Sequence, residues 1–283
     1  MSKFIYLSRL NPLRLHLGKP NNIYTLKHAD TDELWMQVIT DLSTPLDKMR
    51  LQNVSSLQER IATASAVTDG HLRIVTFKFD TNGLFGCYRA YCETRINNVY
   101  RYLWSEKIHI APEHTGLTLL QYRDVDKKND VKYKQNNDGI NIFSRRIEGG
   151  FQQNNYIPKG IDTVYMDANL RYKMLHSLTY NTNIFHAGDT YGIPDDVHKG
   201  INAAFGCDTV FIDSEGYTKY EGAEWTPNEI ELYPFRSWTI ELAKNGFVYD
   251  ANFVPPTTDD RLFGVGYLRP QDFLYNDSFI KSF

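Results

Sequence analysis

Short runs of alternating apolar and polar residues, separated by Pro, Gly, Asn or Asp, recur along the first 123 residues. A two-residue side-chain period is the pattern of a half-solvated strand, so FIYLSRL, LRLHLG and IYTLKH predict strands. DELWMQVITDL carries two patterns. Leu34, Val38 and Leu42 recur at four-residue intervals, which suits a helix, whereas the β-branched and aromatic content suits a strand, and both readings stand. SSLQERIATASA predicts a short helix, with Ser55 or Ser56 as N-cap, Glu59 three residues after Ser56, and Leu57, Ile61 and Ala64 on one face. HLRIVTFKFD alternates and ends in an Asp80–Gly83 turn. CYRAYCETRI, VYRYLWSEKIHIA and LTLLQYRDV then predict an antiparallel meander.

From Asp124 to Gly160 the chain turns polar and Asn-rich, punctuated by Gly139, Gly149, Gly150 and Pro158, which predicts a long loop or linker. Asp124, Asp126 and Asn129 resemble part of a calcium loop, but its glycine and closing glutamate are not in place. IDTVYMDANLRYKMLHSLTYN predicts one or two strands, or a strand with a short helix. Pro194, Asp195 and Asp196 then suit a helix start, and Val197, Ile201, Ala204 and Phe205 form its apolar stripe before Gly206. TVFID and YTKYE flank Ser214-Glu215-Gly216 as a hairpin, with Gly216 at the position that tolerates a left-handed backbone. IELYPFRSWTIELA predicts a further strand anchored by Phe235 and Trp238. The expected class is mainly β, with antiparallel, sandwich-like sheets and few short helices. It divides into a β-rich part over 1–123, a linker over 124–160, a second β part with one helix over 161–250 and an extended tail over 251–283.

Composition narrows the function classes. Hydrophobic residues make up 42% and aromatic residues 14% of 283, too rich for disorder. The net charge of −3 gives no global field toward nucleic acid or an acidic membrane. No apolar run approaches the ~20 residues of a spanning helix, and Arg9, Pro12, Arg14 and His16 interrupt any export signal. Cys87, Cys92 and Cys207 form an odd set without metal or redox spacing, so free thiols in a reducing compartment are expected. The interleaved Tyr88, Arg89, Tyr91, Arg95, Tyr100, Arg101 and Tyr102 suit base stacking. They equally suit a half-solvated sheet, which the acidic total charge favours.

Residue patterns for catalysis are sparse. Gly264-Val-Gly266 lacks the third glycine and the strand–helix setting of a dinucleotide loop, and no Walker loop, nucleophile elbow or HExxH occurs. His176, His186 and His198, near Asp189, Asp195 and Asp196, lack ligand spacing. Glu221, Glu224, Glu229 and Glu231 beside Trp225 and Trp238 suggest a glycoside hydrolase or a glycan-binding adhesion module as alternatives. No catalytic, cofactor or metal residue is assigned and no cofactor is expected. The apolar tail instead predicts a subunit interface built from Phe263, Tyr267, Phe273, Tyr275, Phe279 and Phe283.

The stretch from Gly192 to Ala243, about a fifth of the chain, carries Cys207, Asp208, Val210, Ile212, Asp213, Gly216, Tyr217, Tyr233, Pro234 and Phe235. A short helix, a Cys-Asp-x-Val-x-Ile-Asp hairpin and a Tyr-Pro-Phe strand in this order resemble virion proteins of crAss-like tailed phages of Bacteroides. That resemblance implies a structural, non-enzymatic subunit of the neck or tail. Copies of it would form a homo-oligomeric ring, contact other neck and tail proteins, and pass DNA through the lumen without reading it. It implies a virion assembled in the host cytoplasm and no membrane partner.

Overall fold

The computed structural model describes residues 5–245, apart from 8, 22–23, 45, 47, 97–98, 125–141 and 231–233. Among them the chain is mainly β, as the alternation predicts. In order come β1 (Ile5–Leu7), β2 (Leu15–Leu17), β3 (Leu26–Ala29), β4 (Leu34–Asp41), β5 (Met49–Asn53), β6 (Glu59–Ile61), β7 (Thr63–Asp69) and β8 (Leu72–Phe79). β9 (Gly86–Ile96), β10 (Val99–Ser105), β11 (Ile108–Ala111) and β12 (Leu117–Arg123) follow. The rest comprises β13 (Phe143–Met166), β14 (Tyr172–Ala187), α1 (Asp195–Ala204), β15 (Thr209–Ile212), β16 (Glu215–Lys219), β17 (Thr226–Glu229) and β18 (Arg236–Lys244).

The second half closes on itself. β12, β15, β16, β18, β14 and β13 pair in succession, and β13 returns to β12, giving a six-stranded antiparallel barrel. Closure satisfies strand edges that an open sheet would leave exposed. Leu120, Tyr122, Phe143, Ile147, Phe185, Val210, Ile212, Ile240 and Leu242 form the buried cluster of these strands, and α1 packs Val197, Ile201 and Ala204 onto it.

The first half is layered. β1, β4, β8 and β7 form a four-stranded sheet whose two faces serve two cores. Leu34, Met36, Val38, Val75 and Phe77 pack with Met49, Leu51, Ala90 and Ile110, while Ile39 and Ile74 join the barrel cluster. Burial on both faces explains the near-continuous apolar run of LWMQVIT and resolves its ambiguity in favour of a strand. The one buried amide there, Gln37, is held on three sides. Its N–H donates to Asn11 Oδ1 at 2.8 Å, its carbonyl accepts from Asn11 Nδ2 at 2.7 Å, and its Nε2 donates to Thr76 Oγ1 at 2.9 Å.

Several local expectations are corrected. The predicted Ser55 helix is a turn followed by β6 and β7. Asn53 Oδ1 accepts the N–H groups of Ser55 and Ser56 at 2.9 Å, so the capping pattern serves an Asx turn, and β7 pairs along its length with β8. The meander stops after β10, because β11 pairs with β9 and, in parallel, with β3, whereas β12 belongs to the barrel. Residues 143–160, expected in a linker, form most of β13, and 161–187 contain no helix. In the β15–β16 hairpin the positive φ values fall on Asp213 (48°) and Ser214 (73°), the two-residue turn that matches strand twist. Gly216 instead lies within β16 opposite Phe211. α1 begins after Pro194, as its sequence predicts. The segment 251–283, with Phe263, Tyr267, Phe273, Tyr275, Phe279 and Phe283, lies outside the described residues.

Candidate functional site

Two features stand apart from the packed cores: an arm and a cleft. The arm arises because β13 and β14 outrun the barrel. β18 pairs with β14 only from Thr182 to Ala187, so from Pro158 to Met166 and from Tyr172 to Asn181 the two strands pair only with each other. At about 3.3 Å per residue this ribbon projects roughly 30 Å. Its root is tied to the barrel by Lys159 Nζ on Glu241 at 2.8 Å and by Tyr180 against Tyr220. Its tip is ordered by Asp167, whose Oδ1 accepts from the N–H groups of Asn169 and Arg171 at 2.9 and 3.0 Å.

The register decides what the tip presents. Val164 opposes Met174 and Met166 opposes Tyr172, and because side chains alternate between faces, these four residues share one side of the ribbon. Leu175 sits at a register shift and Leu170 in the turn. All six are exposed, Tyr172 to 78% and Leu170 to 75%. A two-stranded ribbon is marginal in water by itself, and this one carries an apolar patch that no described part of the chain covers.

The cleft, of about 1010 Å³, lies between α1, the segment around Arg9–Arg14 and β3. Tyr24 and Phe235, ring centroids 6.1 Å apart and edge to face, are among its walls. Arg145 lines it from β13, on the same side of the strand as the buried Phe143 and Ile147. Its Nε donates to Tyr122 Oη at 2.9 Å and its Nη2 to the Asn11 carbonyl. Both acceptors are neutral, and no carboxylate among the described residues pairs with this buried guanidinium. Arg14 differs: it donates to Glu106 at 2.7 Å and also pairs with Asp196 at the start of α1.

The residues expected for other chemistry are placed differently. Glu221, Glu224 and Glu229 are exposed, and Glu231 lies outside the described residues. Trp238 stacks on His198 with centroids 3.7 Å apart, and Trp225 meets the same ring edge-on at 4.8 Å. Both indoles are therefore engaged at the foot of α1. His186 is half-buried on β14, and the side chain of His176 is not described. No three His, Cys, Asp or Glu side chains converge among the described residues. Cys87, Cys92 and Cys207 form no disulfide among the described residues, and burial pushes the Cys92 and Cys207 thiols up to about 12. The Tyr–Arg interleaving divides: Arg89 is buried and donates to the carbonyls of Ser105 and Pro20, while Tyr100, Arg101 and Tyr102 face solvent.

Sequence reasoning missed the arm and the cleft. YMDANLRYKML shows a turn between apolar strands, which was readable, but not that these strands leave the core. No family model matches the chain, and no curated protein or solved structure is significantly similar to it.

Proposed function

We propose that this chain is a structural subunit that assembles with copies of itself into a ring, and that the ring belongs to the neck or tail of a tailed-phage virion. The carrying observation is the apolar tip of the β13–β14 arm. Val164, Met166, Leu170, Tyr172, Met174 and Leu175 are all about half or more exposed there, a contiguous apolar surface of the kind that interfaces bury. A second exposed aromatic pair, Tyr100 and Tyr102, shares one face of β10 at the β10–β2 end of the larger sheet. Two different patches on one chain are what a head-to-tail contact requires, and such contacts form a ring where the rotation between successive copies closes. The virion setting rests on the resemblance of residues 192–243, and the apolar tail from Phe263 to Phe283 supplies a second expected contact.

Arm removal tests this reading. Joining Ile157 to Thr182 through an Asn-Gly turn keeps every barrel pairing between β13, β14 and β18 beyond those residues. The shortened chain loses only the partly exposed Lys159–Glu241 and Tyr180–Tyr220 ties, so it is expected to melt within a few degrees of the parent and to sediment as a monomer, whereas the parent is expected to sediment as an oligomer. An armless chain with the parent's oligomeric mass contradicts the proposal.

A further inference from the structure

We propose that the cleft beside α1 binds a phosphate-bearing anion of about nucleotide size. The inference is independent of the ring reading, since it rests on charge inside one chain. Four cations line the cleft without an ion pair to any described carboxylate: Arg9, Arg145, Lys199 and Lys219. The two carboxylates of the lining, Glu106 and Asp196, are both taken by Arg14. A buried arginine without a counter-ion is costly, and an anion entering the cleft supplies one.

The fold also gives up helix stability to bring that charge to the cleft. Gly200 sits in the middle of α1, where glycine costs about 1 kcal/mol relative to alanine. A Cβ there would lie 2.8 Å from both terminal nitrogens of Arg145. The missing side chain is thus the space in which the guanidinium lies under the helix. Lys219 donates to Asn202 Oδ1 at 3.0 Å, and burial lowers its pKa, so an anion would meet a partly desolvated ammonium. Planar and point cations together in a cleft of about 1010 Å³ match the several oxygens of a polyphosphate or a phosphodiester run. Tyr24 and Phe235 form an apolar wall on which a base can lie.

The test is titration of the full chain, at low ionic strength, with inorganic tripolyphosphate, with ATP and with a short single-stranded oligonucleotide. Tripolyphosphate is expected to bind. Lys199→Gln with Lys219→Gln weakens it by roughly tenfold per cation removed, with an unchanged melting temperature. Lys78→Gln, outside the cleft and paired with Glu33, leaves binding unchanged. Tighter binding of ATP than of tripolyphosphate supports the proposal with a free nucleotide as the source. A preference for the oligonucleotide, equally sensitive to the double substitution, supports it with a nucleic-acid strand as the source. Failure of all three probes to bind overturns it, as does an equal loss with Lys78→Gln, which would mark general surface attraction.

Discussion

Gly149→Ala is expected to abolish soluble, folded protein, or to destabilise it by at least about 4 kcal/mol. Gly149 holds φ at 119°, a region closed to residues with a side chain, and it pairs with Ala187 across the barrel seam between β13 and β14. A Cβ built on it runs into the backbone carbonyl of His186. Rotamer changes give no relief, because the obstacle is main chain, and moving β14 away would open the barrel. Thr118 Oγ1, which donates to the Gly149 carbonyl at 2.7 Å, fixes the other side. Gly222→Ala separates space from conformation: φ there is 73°, but nothing lies within 4 Å. Its cost is expected near 1 kcal/mol, that of a left-handed alanine alone. Denaturant unfolding of both variants checks the pair, and similar losses would show that Gly149 is not a packing constraint.

Acid is expected to unfold the protein well above the range of ordinary carboxylates. Burial drives the pKa of His28 down to about 4, with Arg146 and His114 acting in the same direction and Asp32 opposing. Burial likewise holds His198 at about 4, helped by Lys219 and opposed by Asp195. An unfolded histidine takes its proton near 6.5. Between these values the unfolded state binds more protons, so stability is full above pH 6.5 and is lost as the pH falls toward 4. Each histidine contributes about 1.4 kcal/mol per pH unit within that window, and the pair on the order of 5 kcal/mol across it. Urea titrations at pH 7, 6 and 5 measure the slope. His198→Phe, which keeps a ring against Trp238, is expected to halve it between pH 6 and 5. A flat profile from pH 7 to 5 would mean that neither histidine stays neutral for want of solvent.

Strand content, α1 and the existence of the β15–β16 hairpin were legible because each has a local cause: a two-residue period, a proline and acids at a helix start, a turn between apolar runs. What failed was decided at long range. Asn53 and β8 turned a helix-like Ser55–Ala66 segment into strands. Gly149 and Gly150 read as loop punctuation, yet inside a strand Gly149 serves a close approach of the His186 backbone and Gly150 leaves room for the Thr118 hydroxyl, which a sequence without its partner strands cannot show. Arg145, in the middle of a polar-looking Ser-Arg-Arg, gave no hint that it lies buried beneath Gly200, more than fifty residues away. The arm was half legible. Its apolar residues and turn are plain in the sequence, but only the end of the β18 pairing at Thr182 shows that water meets them.

Native mass of the full-length chain, by sedimentation or mass spectrometry across a range of concentrations, bears most directly on self-assembly. A single closed oligomer, visible as rings by electron microscopy, is the predicted result. A chain that stays monomeric at high concentration, with its Tyr172 and Met174 side chains in solvent, contradicts the account.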